Sequence, residues 1–237
     1  VYRDMDVGTG KDLHAYGDIP YYLIDIVDAG ETYHVVRYQE DFRSALQAIV
    51  NLGRQPILCG GTGLYIQAVL QPPGYSMIPI NPDLRQSLQE LPSEVLKTRL
   101  EKLPRPPLFN PDASTKKRLI RAIEIAEWCQ YHKPPPSIEP PAEFRIFGIA
   151  PPLEERRKNI TERLRQRLKG GLIEEVEHLL ARGIPPERLT YYGLEYKYVT
   201  QFLLGELDYE TFFNRLNTEI HRFAKRQMTY FRKMEKD

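Results

Sequence analysis

Cysteine, long apolar runs and net charge are all scarce in this sequence, and each shortage excludes a class of protein. Its 237 residues include 2 cysteines, Cys59 and Cys129. These are too few for a disulfide-stapled secreted domain, so we expect two reduced structural thiols in apolar surroundings. The apolar runs are far shorter than the ~20 residues that a membrane-spanning helix needs. These features predict a cytoplasmic protein with no membrane contact.

The charges are balanced, since 33 lysines and arginines stand against 32 acidic residues for a net charge of +1. Composition therefore gives no sign of a nucleic-acid partner, and any affinity for a polyanion must come from the placement of the cations. The 5 histidines are scattered along the chain. With the two cysteines far apart as well, the spacing predicts no metal site within this chain.

The order of apolar patterns in the first part of the chain indicates an α/β fold. Residues 36–51 have apolar side chains at helical spacing, 56–59 form a short apolar run, and 64–70 return to a helical pattern. Helix, buried strand, glycine turn and helix in this order are typical of a parallel sheet flanked by helices. The predicted strands of that sheet are 21–27, 56–59 and 144–150.

Between residues 76 and 140 the chain is helical and charged, and proline clusters at 104–107 and 134–136 interrupt it. Such a segment is typical of a helical subdomain inserted between stiff hinges. We therefore predict three stretches, which are part of the α/β core at 1–75, the helical insertion at 76–140, and the mostly helical remainder of the core at 141–237.

A glycine turn, Gly60-Gly61-Thr62-Gly63, follows the predicted strand at 56–59. Glycines let backbone amides approach an anion closely, and a helix start adds a favourable dipole, so the turn is a candidate phosphate site. A tight turn with nothing bound fits the same residues. The stretch Gly8–Lys11 resembles the end of a P-loop, but Met5 and Asp12 stand where that motif needs glycine and serine or threonine.

The last helix is predicted to have an apolar side and a cationic side. Ile220, Ala224, Met228 and Phe231 follow helical spacing along one side. An ordinary solvated face is the alternative to a phosphate-binding surface, although no acidic residue interrupts 220–234. The cations away from the apolar stripe are Arg222, Lys225, Arg226, Arg232 and Lys233.

Two further basic clusters, at 116–121 and 156–169, suggest that positive charge is segregated toward a polyanionic partner. Glutamates dilute the second cluster, and i,i+4 ion pairing accounts for much of it. The tyrosine-rich stretch 191–198 offers rings that stack on unpaired bases, and half-buried packing is its alternative interpretation.

Six segments stand in a characteristic order and spacing, although each is weak alone: Val1–Thr9, Ile19–Ile26, Cys59–Tyr65, Lys117–Glu124, Tyr192–Lys197 and Ala224–Arg232. Together they resemble the tRNA dimethylallyltransferase family, also called tRNA isopentenyltransferases or IPP transferases, and most closely its bacteroidete members. The similarity extends over nearly the whole chain.

The resemblance implies a P-loop NTPase-like parallel sheet flanked by helices, with an inserted helical subdomain that grips the anticodon stem-loop of tRNA. It implies an enzyme that transfers a dimethylallyl group from dimethylallyl diphosphate to N6 of the adenosine 3′ of the anticodon, with Mg²⁺ on the diphosphate. The family's nucleotide-type phosphate-binding loop and its general-base aspartate are expected before Val1, and the chain as given is expected to be inactive without them. We expect a monomer.

The resemblance also implies roles for individual residues. Thr62 and Arg222 are expected to be catalytic, with Thr62 near the tRNA adenosine and Arg222 on the diphosphate together with Gly60 and Gly61. The residues expected to contact tRNA are Thr62, Arg85, Lys117, Arg118, Leu119, Ile120, Arg121, Tyr192, Gly193, Leu194, Glu195, Tyr196, Lys197, Lys225, Arg226 and Gln227.

Two substitutions depart from the family pattern, since Tyr22 replaces the usual histidine and His221 stands where threonine is common. We expect both to adjust packing only. Two other functions remain open. A non-catalytic tRNA-binding protein is one of them, if the upstream residues are absent. A small-molecule P-loop kinase is the other, and it suits the predicted sheet but not the basic last helix.

Overall fold

The computed structural model describes residues 1–70, 74–106, 109, 111, 113–133 and 144–235, so the prolines at 107 and 134–136 lie outside the described residues. No helix within those ranges is long and apolar enough to cross a membrane. The α-helices are α1 (Val35–Asn51), α2 (Gly63–Leu70), α3 (Pro82–Gln89), α4 (Ser93–Lys102), α5 (Lys116–Tyr131), α6 (Leu153–Lys169), α7 (Leu172–Ala181), α8 (Pro186–Tyr191), α9 (Leu194–Leu203) and α10 (Tyr209–Met234).

Side-chain caps explain where several of these helices begin. His34, Asn81, Thr115 and Asp208 each accept a hydrogen bond from the backbone amide three residues on, which satisfies a group that the first turn leaves unpaired. The helices predicted at 36–51, 64–70 and the C-terminal end are confirmed as α1, α2 and α10.

The predicted P-loop NTPase-like parallel sheet is wrong for the described residues, which contain no β-strand and have one isolated parallel bridge, Tyr2 with Val27. Residues 56–59 and 144–150 have no regular structure, and their apolar side chains are exposed, with Ile57 at 83 % and Phe147 at 86 %. A strand needs a neighbour to bond its backbone, and neither segment meets one in the described parts of the chain. Cys59 is therefore exposed, so the apolar surroundings expected for it are also wrong.

Residues 21–27 form a loop rather than a strand because Leu23 and Asp25 adopt left-handed backbone conformations, with φ of 62° and 55°. The ammonium of Lys11, with 6 % of its side chain exposed, pairs with the carboxylates of Asp25 and Asp6. Burial disfavours the charged lysine, but the hydrogen bonds to the two carboxylates outweigh it and hold the pKa of Lys11 above its ordinary value. This charged contact ties the loop to the N-terminal segment.

The chain divides into two compact units, residues 1–66 with 144–237 and residues 67–143. In the first, α6–α10 surround a core in which Leu172, Tyr196 and Phe212 are buried. In the second, α3, α4 and α5 pack around Leu88, Leu96 and Ile123. The predicted insertion at 76–140 lies within the second unit, and its binding of tRNA stays a prediction.

The N-terminal segment is held to the first unit by the carboxylate of Glu175 on α7. That carboxylate accepts hydrogen bonds from the consecutive backbone amides of Asp6, Val7 and Gly8 at 2.6, 2.7 and 3.0 Å, and from the Tyr196 hydroxyl at 2.7 Å. Consecutive amides of this kind form an anion-binding concavity, and here a side chain of the protein fills it. Burial and the neighbouring carboxylate raise the pKa of Tyr196, so its hydroxyl remains a donor.

We expect Glu175→Ala to lower the free energy of unfolding by about 3 kcal/mol, because it leaves several partly buried donors without an acceptor. Glu174→Ala, which removes an exposed carboxylate from the same helix, should cost less than about 0.5 kcal/mol. Urea denaturation of both variants measures the difference. Equal losses in the two variants would show that the amides do not depend on Glu175.

Tyr38 on α1 predicts a loss of stability in alkali. Its ring lies 4.8 Å from that of Tyr65, and burial raises the pKa of Tyr38 to about 12. The folded state binds the phenolic proton more tightly than the unfolded chain, so this stabilisation is complete below about pH 10 and disappears as the pH rises toward 12. Between about pH 10 and pH 12, we expect the free energy of unfolding of Tyr38→Phe to fall by about 1 to 2 kcal/mol less than that of the wild type.

The Tyr38 hydroxyl makes no hydrogen bond to another described residue, so the substitution removes the titration with little other change. Tyr131→Phe, which alters a ring that is 82 % exposed, is the matched control. Chemical denaturation at a series of pH values measures the effect. A pH dependence that is identical in Tyr38→Phe and the wild type contradicts it.

Candidate functional site

The glycine turn at 60–63 lies against the C-terminal half of α10. The side-chain amide of Gln227 donates to the carbonyl of Gly61. A Cβ atom on Gly63 would lie 2.1 Å from Cδ1 of Tyr230, and one on Gly61 would lie 2.4 Å from Nε2 of Gln227. Close packing on α10 thus accounts for these two glycines, whereas the sequence suggested either a bound anion or an empty tight turn.

Thr62 lies immediately before α2, on the exposed side of this turn. Its carbonyl accepts hydrogen bonds from the amides of Tyr65 and Ile66 at 3.0 and 3.2 Å. The residue itself is exposed, as is Gly60. A ligand can therefore reach the Thr62 hydroxyl while the other side of the turn stays packed on α10.

The predicted division of the last helix is confirmed. The residues of its apolar stripe are half-buried, and its five cations are exposed. Arg222 has 65 % of its side chain exposed and pairs with Glu219 at 2.5 Å, one turn back on the same helix. We call Arg222, Lys225, Arg226, Arg232 and Lys233 the α10 cationic face.

A second group of predicted site residues surrounds Glu124 in the helical unit. Glu124 has 2 % of its side chain exposed and accepts hydrogen bonds from Arg85 at 2.9 and 3.1 Å, from Arg121 at 2.5 Å and from the Asn81 amide at 2.6 Å. Burial disfavours the carboxylate, but these donors outweigh it and hold the pKa of Glu124 below its ordinary value. Arg121 also donates to the carbonyl of Ile78 at 2.7 Å. Both arginines therefore stabilise this unit internally.

Around Arg121, the predicted tRNA-contacting stretch 117–121 divides between surface and core. Lys117 and Arg118 are exposed. Leu119 and Ile120 are 1 % and 4 % exposed and belong to the core of the helical unit. Of these four side chains, only those of Lys117 and Arg118 can contact a partner without rearrangement.

Most of the predicted stretch 192–197 faces inward. The Tyr192 hydroxyl accepts a hydrogen bond from the Gly30 amide at 2.7 Å, Glu195 pairs with Arg167 at 3.0 Å, and Tyr196 is 1 % exposed. Leu194 is half-buried, whereas Gly193 and Lys197 are exposed. The structure favours packing over base stacking for Tyr192 and Tyr196.

Two residues that sequence reasoning did not assign to a site are Glu124 and Glu175. Glu124 and Arg121 are the two charged residues in the apolar run 119–126 of α5, and Glu124 is the buried one. Two opposite charges three residues apart in such a run are a signal of a buried ion pair. Glu175 gives no comparable signal, because Glu174 and Glu177 beside it are also acidic.

No cluster of three or more His, Cys, Asp or Glu side chains that could hold a metal ion occurs among the described residues. A protein cage for Mg²⁺ needs several carboxylate or carbonyl oxygens. Mg²⁺ is more often held by one or two carboxylates together with the phosphates of a substrate, so its binding stays a prediction.

Comparison with known proteins places the chain that carries this glycine turn and cationic helix in a known family. The chain belongs to the IPP transferase family, whose model matches residues 1–234. It is 49 % identical to tRNA dimethylallyltransferase 2 of Porphyromonas gingivalis and 48 % identical to tRNA dimethylallyltransferase 1 of Geotalea uraniireducens, covering 100 % of this chain and 79 % and 78 % of those proteins. The crystal structure of the full-length tRNA isopentenylpyrophosphate transferase from Bacillus halodurans is similar over 98 % of this chain and 75 % of that one, with 29 % identity and a TM-score of 0.67.

The contact between Gly63 and Tyr230 predicts that Gly63→Ala disrupts the site. The added methyl group overlaps the ring, so we expect a loss of about 1 to 3 kcal/mol in the free energy of unfolding. Tyr230→Ala in the same chain should recover part of that loss. A double-mutant cycle measured by thermal unfolding checks this, and strict additivity of the two substitutions contradicts it.

Proposed function

We propose that this protein transfers a dimethylallyl group from dimethylallyl diphosphate to N6 of the adenosine 3′ of the anticodon in tRNA. The observation that supports this most is the exposed α10 cationic face beside the glycine turn, in a chain of the IPP transferase family. The anticodon stem-loop is the proposed macromolecular substrate, and the protein is proposed to act as a monomer.

In this reaction the adenosine amine attacks the first carbon of the prenyl group, the carbon–oxygen bond breaks with its electron pair leaving on the diphosphate, and the amine gives up a proton to a general base. Negative charge grows on the departing diphosphate, so a cation aimed at it stabilises the transition state. Arg222 is proposed for this role, with the backbone of Gly60 and Gly61 beside the same group. Mg²⁺ is proposed to arrive with the diphosphate as its counter-ion.

The tRNA adenosine must leave the stack of the anticodon loop to reach the donor. Thr62, with its exposed position at the start of α2, is proposed to lie near that base. Of the other predicted tRNA contacts, Lys117, Arg118, Lys197, Lys225 and Arg226 are exposed and are proposed to touch the RNA. The buried members of the set are proposed to support them.

Arg222→Ala tests the proposed role. In the protein that carries this chain, we expect it to lower kcat for prenyl transfer to an unmodified tRNA transcript by about a hundredfold or more, because a cation is lost from the departing diphosphate. Glu219→Ala removes only the partner of Arg222, and Arg215→Ala removes another exposed cation of α10. Both should keep near-normal rates.

Mass spectrometry of the tRNA nucleosides measures the transfer. Normal turnover by Arg222→Ala rejects the role of Arg222. Binding of tRNA by the wild type without any transfer would instead identify a non-catalytic tRNA-binding protein.

A further inference from the structure

Six of the seven cations of α6 fall into two groups, and the seventh is the half-buried Arg156. Arg157, Arg163 and Arg167 pair with the carboxylates of Glu154, Asp12 and Glu195 at 3.0, 3.7 and 3.0 Å. Lys158, Arg165 and Lys169 make no ion pair with any described residue. The glutamates that dilute this basic cluster in the sequence therefore leave these three cations unneutralised.

These three cations share one side of α6, since their spacing of seven and four residues corresponds to about two turns and one turn. Together with Thr161, Glu162 and Gln166 they line an open depression of about 520 Å³. Glu162 is the one carboxylate of that lining. We call Lys158, Arg165 and Lys169 the α6 cation face.

The α6 cation face lies beside α10. Thr161 Oγ1 is 3.1 Å from Asn217 Oδ1 and 3.3 Å from His221 Nε2, and the guanidinium of Arg165 lies 5.9 Å from the centre of the Phe213 ring. As α6 advances from 161 to 165, its contacts on α10 move back toward the N-terminus. The two helices are therefore antiparallel.

This pairing sets which cations are level with one another. Lys158 precedes Thr161 by three residues, or about 4.5 Å along the axis, and so lies near the level of Arg222. On α6 the buried Leu164 faces the core. Lys158 lies on the opposite side of the line along which α6 contacts α10. On α10 the buried Leu216 faces the core, and Lys225 lies on the opposite side of the same line of contact. Lys158 and Lys225 thus flank the solvent side of the same groove. From this level the α6 cation face and the α10 cationic face extend in opposite directions along the helix pair, because the two helices are antiparallel.

We propose that the α6 cation face and the α10 cationic face form one continuous track that binds the phosphate backbone of the tRNA substrate. This inference rests on the proposed function and adds α6 to its RNA-binding surface. Each face extends over twelve residues, or about 16 Å of helix. A diphosphate engages only a few cations, whereas a polynucleotide presents phosphates at regular intervals along such a row. Glu162 within the row opposes binding.

Binding of a fluorescent, unmodified tRNA transcript tests the track in the protein that carries this chain. The combined variant Lys158→Gln, Arg165→Gln and Lys169→Gln is expected to raise Kd about tenfold or more near 0.1 M salt. The slope of log K against log salt should fall by about 2 to 3, because three phosphate contacts are lost. Glu162→Gln should bind more tightly than the wild type.

The matched control combines Arg157→Gln, Arg163→Gln and Arg182→Gln. It removes the same net charge from three arginines that are each already paired with a carboxylate. This control should bind tRNA nearly as well as the wild type. Equal weakening in the two triple variants would reduce the effect to net charge and overturn the track.

Prenyl-transfer kinetics provide an independent result. The Lys158, Arg165 and Lys169 variant should raise KM for tRNA and leave KM for dimethylallyl diphosphate and kcat at saturating tRNA unchanged. If that variant does not fold, Glu162→Gln decides, and unchanged or weaker tRNA binding by it rejects the track. Failure of the wild type to bind tRNA refutes the proposed function itself, whereas normal binding by the triple variant refutes only the track.

Discussion

The carboxylate of Glu175 is the contact on which the order of the N-terminal segment depends. Residues 6–8 have little regular structure to satisfy their amides, and one side chain of α7 accepts hydrogen bonds from all three. The same carboxylate engages Tyr196, so it joins α7, α9 and the segment in one contact. Lys11, which bonds to Asp6 and Asp25, then extends this order to the loop at 21–27.

Local rules predicted the helices well and the sheet badly. Helical spacing and caps depend on residues a few positions apart, so α1, α2 and α10 could be predicted from the sequence. A strand depends on a neighbour that local sequence does not specify, and the apolar runs at 56–59 and 144–150 have none in the described residues. The loop at 21–27 likewise has a tertiary contact that local sequence does not specify, since Lys11 binds the carboxylate of Asp25.

The candidate functional site, like the fold, was predictable only in the features that depend on local sequence. The α10 cationic face was predictable, because a helix with one apolar side must present its remaining residues to solvent. Burial was not predictable within short motifs. Arg121 and Tyr196 belong to segments that together carry the family resemblance, yet one bonds to Glu124 and the other to Glu175. A motif specifies residue types, whereas the packing around it decides which of them reach solvent.

The length of α10 has a consequence for association. Its N-terminal half is anchored, since Phe212 and Leu216 are fully buried, whereas its C-terminal half carries the exposed cations on the same continuous helix. The backbone that bears those cations is already ordered before any ligand arrives. Binding along it costs the rotamer entropy of lysine and arginine side chains but little backbone entropy, so the helix is a preorganised scaffold for a polyanion.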